Sequence, residues 1–132
     1  MKSEVYFSLI LPCYNETQIF HESMPCIEVA LQKIGKPFEI ILVEDKSQDE
    51  TQKLIQPYCE KKPFAKAIYH AENQGRGASV MDGIWLSKGK IVGFIDIDLE
   101  VSEQFILGAI AGIENGSDMV IGNRAFKTVS RA

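Results

Sequence analysis

Two aspartates end the most apolar strand-like run of the chain. "KIVGFIDIDLE" places Asp96 and Asp98 on either side of Ile97. A carboxylate driven into an apolar run needs a partner, because burying it alone is costly. Side chains alternate along a strand, so Asp96 and Asp98 can face one way while Ile97 packs behind them. Two hard oxygen ligands on one side suit Mg2+ or Mn2+, and Glu100 continues the parity as a further ligand. The D-x-D pattern alone fits a second reading as well, with one aspartate capping a helix that begins near Ser102. A second stretch, "NQGRGAS", puts Gly75 and Gly77 where a loop enters a helix. Glycines there let backbone approach a ligand, and a helix N-terminus favours anions. The same glycines also suit a tight turn with positive φ. The third glycine of a dinucleotide fingerprint is absent, and "GIWLSKGKI" lacks the spacing of a P-loop. "LVEDKSQDET" ends an apolar run on Glu44 and Asp45, carboxylates that can accept from a base N–H or ribose hydroxyls; Asp49 reads as a helix cap. "LPCYNE" supplies Tyr14, which can stack on a flat base, and Glu16, which can take ribose hydroxyls.

These groups need a scaffold, and the apolar pattern describes one. Strand-like runs occur at 6–12, 38–44, 65–70, 90–96 and 118–123. Between them lie helical patterns at 17–34, with Pro25 starting or kinking the helix, and at 47–62, with Ser47 or Asp49 as N-cap. Further helices are expected at 77–89, closed by Gly89, and after Ser102. Strands alternating with helices through short connections imply a mostly parallel α/β sheet. The strands are near-continuous apolar runs, as expected when helices cover both faces. In such sheets ligands bind beyond the carboxyl ends of the strands. "PCYNE", "EDKSQD", "AENQGRG", "DIDLE" and "GNR" all follow strands, so the polar residues collect where a site belongs.

Composition narrows the class. With 132 residues, 45% of them apolar, the chain suits one domain, 1–132, with a core of useful size. A net charge of −4 lacks the basic stripe of a nucleic-acid binder. Phosphates would be met by a metal or by backbone amides. Cys13, Cys26 and Cys59 have no metal-ligand spacing and read as reduced thiols of a cytoplasmic protein. Cys13 alone sits beside candidate site residues. The first residues do not read as a secretory leader, and no apolar stretch is long enough to cross a bilayer.

Taken together, "SLILPCYNE", "FEIILVEDKSQDET", "ENQGRGAS", "GKIVGFIDIDLE" and "DMVIGNR" resemble the nucleotide-sugar half of a family 2 glycosyltransferase with the Rossmann-like GT-A fold. They stand in the family's order and span residues 8–124. "DIDLE" and "VIGNR" are most similar to the branch that charges polyprenyl or dolichyl phosphates. The resemblance implies that Pro12, Tyr14 and Glu16 line the nucleoside pocket and that Asp45 contacts the base or ribose. Asn73, Gly75 and Gly77 would form the loop beside the nucleotide. Asp96 and Asp98 would hold the metal and diphosphate, with Glu100 near the metal, where that branch often has glutamine. Arg124 would lie near the transferred phosphates, joining Asp98 in the catalytic set. Lys46 and Glu50 depart from the family's usual glycines, which puts the backbone of that loop in question. The family continues into an acceptor-binding region, so a chain ending at Ala132 reads as a domain truncated on its acceptor side.

The implied reaction is inverting transfer from a UDP- or GDP-sugar. A hydroxyl acceptor needs a general base, whereas a polyprenyl phosphate is already anionic. Because Asp118 lies away from the expected site and no other base stands out, the phosphate acceptor is favoured. Partners are then a nucleotide sugar and a lipid phosphate, with no nucleic acid, and membrane association through segments outside this chain. Apolar surface left uncovered on the acceptor side would favour a homodimer. Two alternatives remain: a nucleotide-sugar-binding module without turnover, and a receiver-type Mg2+-binding signalling domain. The second fits poorly, because a whole strand–helix unit precedes "IILVED".

Overall fold

The computed structural model describes residues 4–98, 105–122 and 128–131. Ten elements follow in order: β1 (Phe7–Cys13), α1 (Phe20–Gln32), β2 (Phe38–Glu44), α2 (Thr51–Lys61), β3 (Ala65–Tyr69), α3 (Arg76–Leu86), β4 (Ile91–Phe94), α4 (Phe105–Glu114), β5 (Met119–Gly122) and β6 (Thr128–Arg131). Four strands form a parallel sheet in the order β3-β2-β1-β4. Every residue of β1 is buried, as is every residue of β2 after Phe38, because these strands are central and covered on both faces.

Alternation divides the strands between two layers. Phe7, Leu9, Leu11, Ile40 and Leu42 pack under α1, α2 and α4, against Phe20, Met24, Ile27, Leu31, Ile55, Ile106 and Ile110. Ile10, Ile41 and Val43 face the other way, where α3 lies against β1 and β2. Gly83 lets α3 come close: a Cβ there would lie 2.5 Å from Ile10 Cγ2. At the amino end of the sheet, buried Glu39 accepts from Ser8 Oγ at 2.6 Å and the Lys88 amide at 2.7 Å, and pairs with Lys66 at 2.9 Å. Burial pushes its carboxyl up, but these partners outweigh burial and hold it below its ordinary value.

Several boundaries differ from the sequence pattern, each for a physical reason. Helix α1 carries Pro25 inside it rather than starting there, so the helix tolerates one missing N–H. Helix α2 begins at Thr51, later than the pattern from 47: Asp49 Oδ1 accepts from the Thr51 amide at 2.9 Å, while Ser47 Oγ is engaged with the loop after β1. Gly89 does not cap α3, which ends at Leu86 with Ser87 extended. Gly89 is small because it passes against Ser8; its amide donates to Ser8 Oγ at 2.8 Å. Strand β4 ends at Phe94, so Asp96 stands past the strand. The fifth strand does not join the parallel sheet; β5 pairs antiparallel with β6. A five-residue connection allows a hairpin but no parallel crossover. Ser102, expected as a cap, lies outside the described residues.

Candidate functional site

The loops after β1, β2, β3 and β4 meet at the carboxyl ends of the strands, and hydrogen bonds lock the first two together. The Asn15 amide donates to Ser47 Oγ at 2.9 Å, and Asn15 Oδ1 accepts from the Gln48 amide at 2.8 Å. The Glu16 amide donates to Thr51 Oγ1 at 2.8 Å, and the Thr17 amide reaches Asp49 Oδ2 at 3.3 Å. Asp49 therefore does more than cap a helix. Asn15 and Lys46 both take left-handed backbone, with φ of 56° and 61°. Lys46 thus adopts the conformation that glycine enters without steric cost, and the loop closes despite the substitution.

Asp45 is the hub of the next layer. It is 4% exposed, and its carboxylate is turned into the protein. Oδ1 accepts from the Gln74 amide at 2.8 Å and Oδ2 from the Gly75 amide at 2.9 Å. Its backbone carbonyl accepts from Asn73 Nδ2 at 3.0 Å. His70, at the end of β3, completes the set, with Nδ1 2.8 Å from Asp45 Oδ1 and Nε2 2.7 Å from Asp82 Oδ2. Burial pushes the Asp45 carboxyl up, but the bonds from His70 and the two amides hold it below its ordinary value. Gly75 has φ 96° and ψ 164° at the N-cap of α3, a conformation an L side chain rarely takes. A Cβ on Gly77 would meet nothing, so that glycine leaves open space beside the loop.

Beyond β4, Ile97 is fully buried while Asp96 and Asp98 remain accessible, as the alternation implied. Arg76, in the first turn of α3, donates from Nε to Asp96 Oδ1 at 2.7 Å, and its guanidinium lies 5.3 Å from the Phe94 ring. Glu16 feels both aspartates. Burial first, then Asp98, Asp96 and Asp49, pushes its carboxyl up to about 7. Hence acid charge gathers at one end of the sheet, a donor chemistry that suits a divalent cation. Among the described residues no three acid, histidine or cysteine side chains are grouped so as to hold a metal ion. Two carboxylates completed by water and substrate phosphates remain a fitting arrangement for Mg2+ or Mn2+.

Of the other expected site residues, Pro12 is buried within β1 and Tyr14 is 41% exposed beside Asn15. A cavity of about 590 Å³ opens along residues 15–19 with Asp49 and Glu50. Cys13 is buried and its thiol, pushed well up by burial, is inert packing. Glu100 and Arg124 lie outside the described residues. Sequence reasoning missed His70, Asp82 and Arg76. His70 is one of two histidines and ends a strand on the site side, which was the available signal. Arg76 stood in plain sight between the two glycines.

The family model described as Glycosyl transferase family 2 matches residues 8–131. The chain belongs to glycosyltransferase family 2. It is 33% identical over 117 residues, 87% of its length, to the undecaprenyl-phosphate 4-deoxy-4-formamido-L-arabinose transferase of Pseudomonas savastanoi pv. phaseolicola. It is 35% identical over 120 residues, 91% of its length, to the dolichol-phosphate mannosyltransferase of Pyrococcus furiosus. The chain spans 34% and 33% of these two relatives, about a third of each. Among solved structures it is similar to S. aureus TarS 1-349 in complex with UDP-GlcNAc, with TM-score 0.65 and 27% identity, covering 84% of this chain and 32% of that one. The mannosyltransferase PcManGT from Pyrobaculum calidifontis, solved with GDP-Man and Mn2+, shares the fold at TM-score 0.65 and 20% identity, covering 81% and 32%. The parallel sheet with helices on both faces is that of the GT-A glycosyltransferases.

Proposed function

We propose that residues 1–132 form the donor-binding unit of an inverting, metal-dependent glycosyltransferase that moves a sugar from a UDP- or GDP-sugar to a polyprenyl phosphate. The observation that carries this reading is the placement of Asp96 and Asp98 past the end of β4, with Asp96 held by Arg76 from the glycine-opened first turn of α3. Pro12, Tyr14 and Glu16 then border the nucleoside, and Asn73, Gly75 and Gly77 bring the loop against it. A carboxylate has about four acceptor positions. Three of those on Asp45 are occupied within the protein, leaving one on Oδ2 for a base or ribose. Asp96 and Asp98, with Glu100, would hold Mg2+ or Mn2+. The ion, when bound, offsets charge developing on the leaving diphosphate. Arg76 adds a fixed cation beside Asp96, and Arg124 would serve the transferred phosphates. A phosphate acceptor arrives ionised and needs no base. Both relatives named above carry polyprenyl-phosphate or dolichol-phosphate activities in their names, which supports that acceptor. No helix among the described residues is long and apolar enough to cross a membrane. We place the unit at the cytoplasmic face of a membrane, held there by other segments.

A thermal-shift panel tests the donor site, using UDP, GDP and CDP, each with Mn2+, Mg2+ or EDTA. A ligand at about a hundred times its Kd should stabilise the native state by roughly 2.7 kcal/mol. A metal-dependent shift with one nucleotide, lost in Asp98→Asn, supports the reading and selects the base. No shift with any nucleotide overturns it. The chain's coverage of a third of its relatives gives a second reading its basis, donor binding without turnover. A shift accompanied by no transfer to a short polyprenyl phosphate would select it.

A further inference from the structure

We propose that His70 is a positioning residue of the donor site: it donates from Nδ1 to Asp45 and from Nε2 to Asp82, and so fixes the loop 73–75 that opens α3. The proposal rests on the donor-site reading for its consequence but on geometry for its cause. His70 is 8% exposed, and both ring nitrogens are within 2.8 Å of carboxylate oxygens from two different elements. A neutral imidazole has one N–H, so both bonds are donated together only by the imidazolium. Burial works against that charge, but bonds to Asp45 and Asp82 outweigh it, and the ring's pKa is raised. The charges acting on the ring are those two carboxylates, one from the end of β2 and one from α3. Glu44, the neighbouring acid on β2, is turned to the Ser47 amide instead. Arg76, the nearest cation on α3 in sequence, is directed to Asp96.

The consequence reaches the ligand through Asp45. Its Oδ1 is shared between His70 and the Gln74 amide, while Oδ2 holds the Gly75 amide. Asp45 can hold both amides only if its carboxylate plane is set, and His70 is the side chain that sets it. Gly75 is the left-handed residue whose carbonyl then accepts from Ser79 to start α3. Without the histidine's donor, the carboxylate is free to rotate and the loop amides lose their anchor. Asp82, with its side chain about 44% exposed, acts as the outer tether of the ring.

The two amide-bearing substitutions separate this role from packing. His70→Asn places a donor near the Nδ1 position and keeps the bond to Asp45. His70→Gln places one near Nε2 and keeps only the bond to Asp82. Two readouts are taken on the full chain: the Gln74 and Gly75 amide proton resonances, and the Kd of the nucleotide chosen by the thermal panel. In His70→Asn both amides should keep their positions and Kd should stay within about twofold. In His70→Gln both should move and Kd should rise about tenfold, the worth of one hydrogen bond to a charged group. Equal effects of the two variants, or effects that follow their melting temperatures, would overturn the proposal. If the parent binds no nucleotide, the donor-site reading fails by itself, and the amide resonances still decide whether His70 sets the loop.

Discussion

At the residue scale the site is governed by unbalanced acid charge. Glu16 is pushed up to about 7 by burial and by Asp98, Asp96 and Asp49, against 4.5 for a free glutamate. The folded protein therefore holds that proton where the unfolded chain has released it. The stabilisation from holding it is complete below about pH 4.5 and is lost as pH rises through about 7. Glu16→Gln removes the titration, so it should gain stability relative to the parent as pH rises from 4.5 and level off above 7. The gain should be on the order of 1–2 kcal/mol once the shift is discounted for solvent screening. Urea melts of both proteins at pH 5 and pH 8 measure it; an unchanged difference between the two pH values would refute the crowding. Millimolar Mg2+ or Mn2+ should shrink the difference at pH 8, because a cation among Asp96, Asp98 and Glu16 favours the ionised carboxyl. Lys46 is a simpler case. It holds left-handed backbone that costs a non-glycine residue about 1–2 kcal/mol. Lys46→Gly should therefore raise stability by about 0.5–1 kcal/mol after glycine's entropy is counted. A fall in melting temperature would show instead that the lysine side chain contributes contacts of its own.

At the element scale the tightest constraint is the seat of α3 on the sheet. A methyl on Gly83 would meet Ile10 Cγ2 at 2.5 Å and Cγ1 at 2.9 Å, and Ile10 is fully buried in the centre of β1. Alanine in a helix is otherwise better than glycine by about 1 kcal/mol. Overpacking of a closed core typically costs about 1–3 kcal/mol, and a β-branched neighbour has few rotamers with which to yield. The clash should win, so Gly83→Ala should lower the denaturation midpoint. Ile10→Ala/Gly83→Ala, which removes both Cγ atoms, should lose less than the sum of the two single changes, a coupling that a double-mutant cycle measures. Additive effects would mean that α3 shifts bodily instead. The strands that carry this packing were legible because apolar runs and their ends are local signals. "FEIILVE" gave β2 its observed limits, and "YFSLILP" gave β1 to within one residue at each end. The start of α2 was not legible. Ser47 and Asp49 both have cap chemistry, yet only Asp49 meets the first helical amide, at Thr51, and both also bind the loop some thirty residues earlier, at Asn15 and Thr17. A local pattern cannot show which of two uses a side chain has. His70 was missed for the same reason, since Asp45 and Asp82 are its neighbours in space and in no sequence window.

At the scale of the whole molecule, the sheet is finished unevenly. β1 and β2 are enclosed, whereas β4 pairs with β1 on one side and, among the described residues, with no strand on the other. The sequence showed the acids after β4 but not this open edge, because "KIVGFID" reads as a core strand. An edge of that kind offers unpaired N–H and C=O groups, and natural edges are commonly blunted with lysine or proline. Here the edge carries Val92 at 39% and Phe94 at 46% exposure, with Trp85 of α3 at 82%. Were two copies of these 132 residues to associate at this edge, antiparallel pairing of two β4 strands would satisfy the edge groups and cover these side chains in one contact. Light scattering across a hundredfold concentration range should then show dimer formation. Val92→Lys should shift it toward monomer, since a charge on the seam must be desolvated in the pair but not in the free chain. The acid cluster lies beyond the carboxyl end of β4, so the same variant should leave nucleotide-induced stabilisation unchanged. A parent that stays monomeric at the highest concentration would remove the dimer, while a dimer indifferent to Val92→Lys would move the contact to another face.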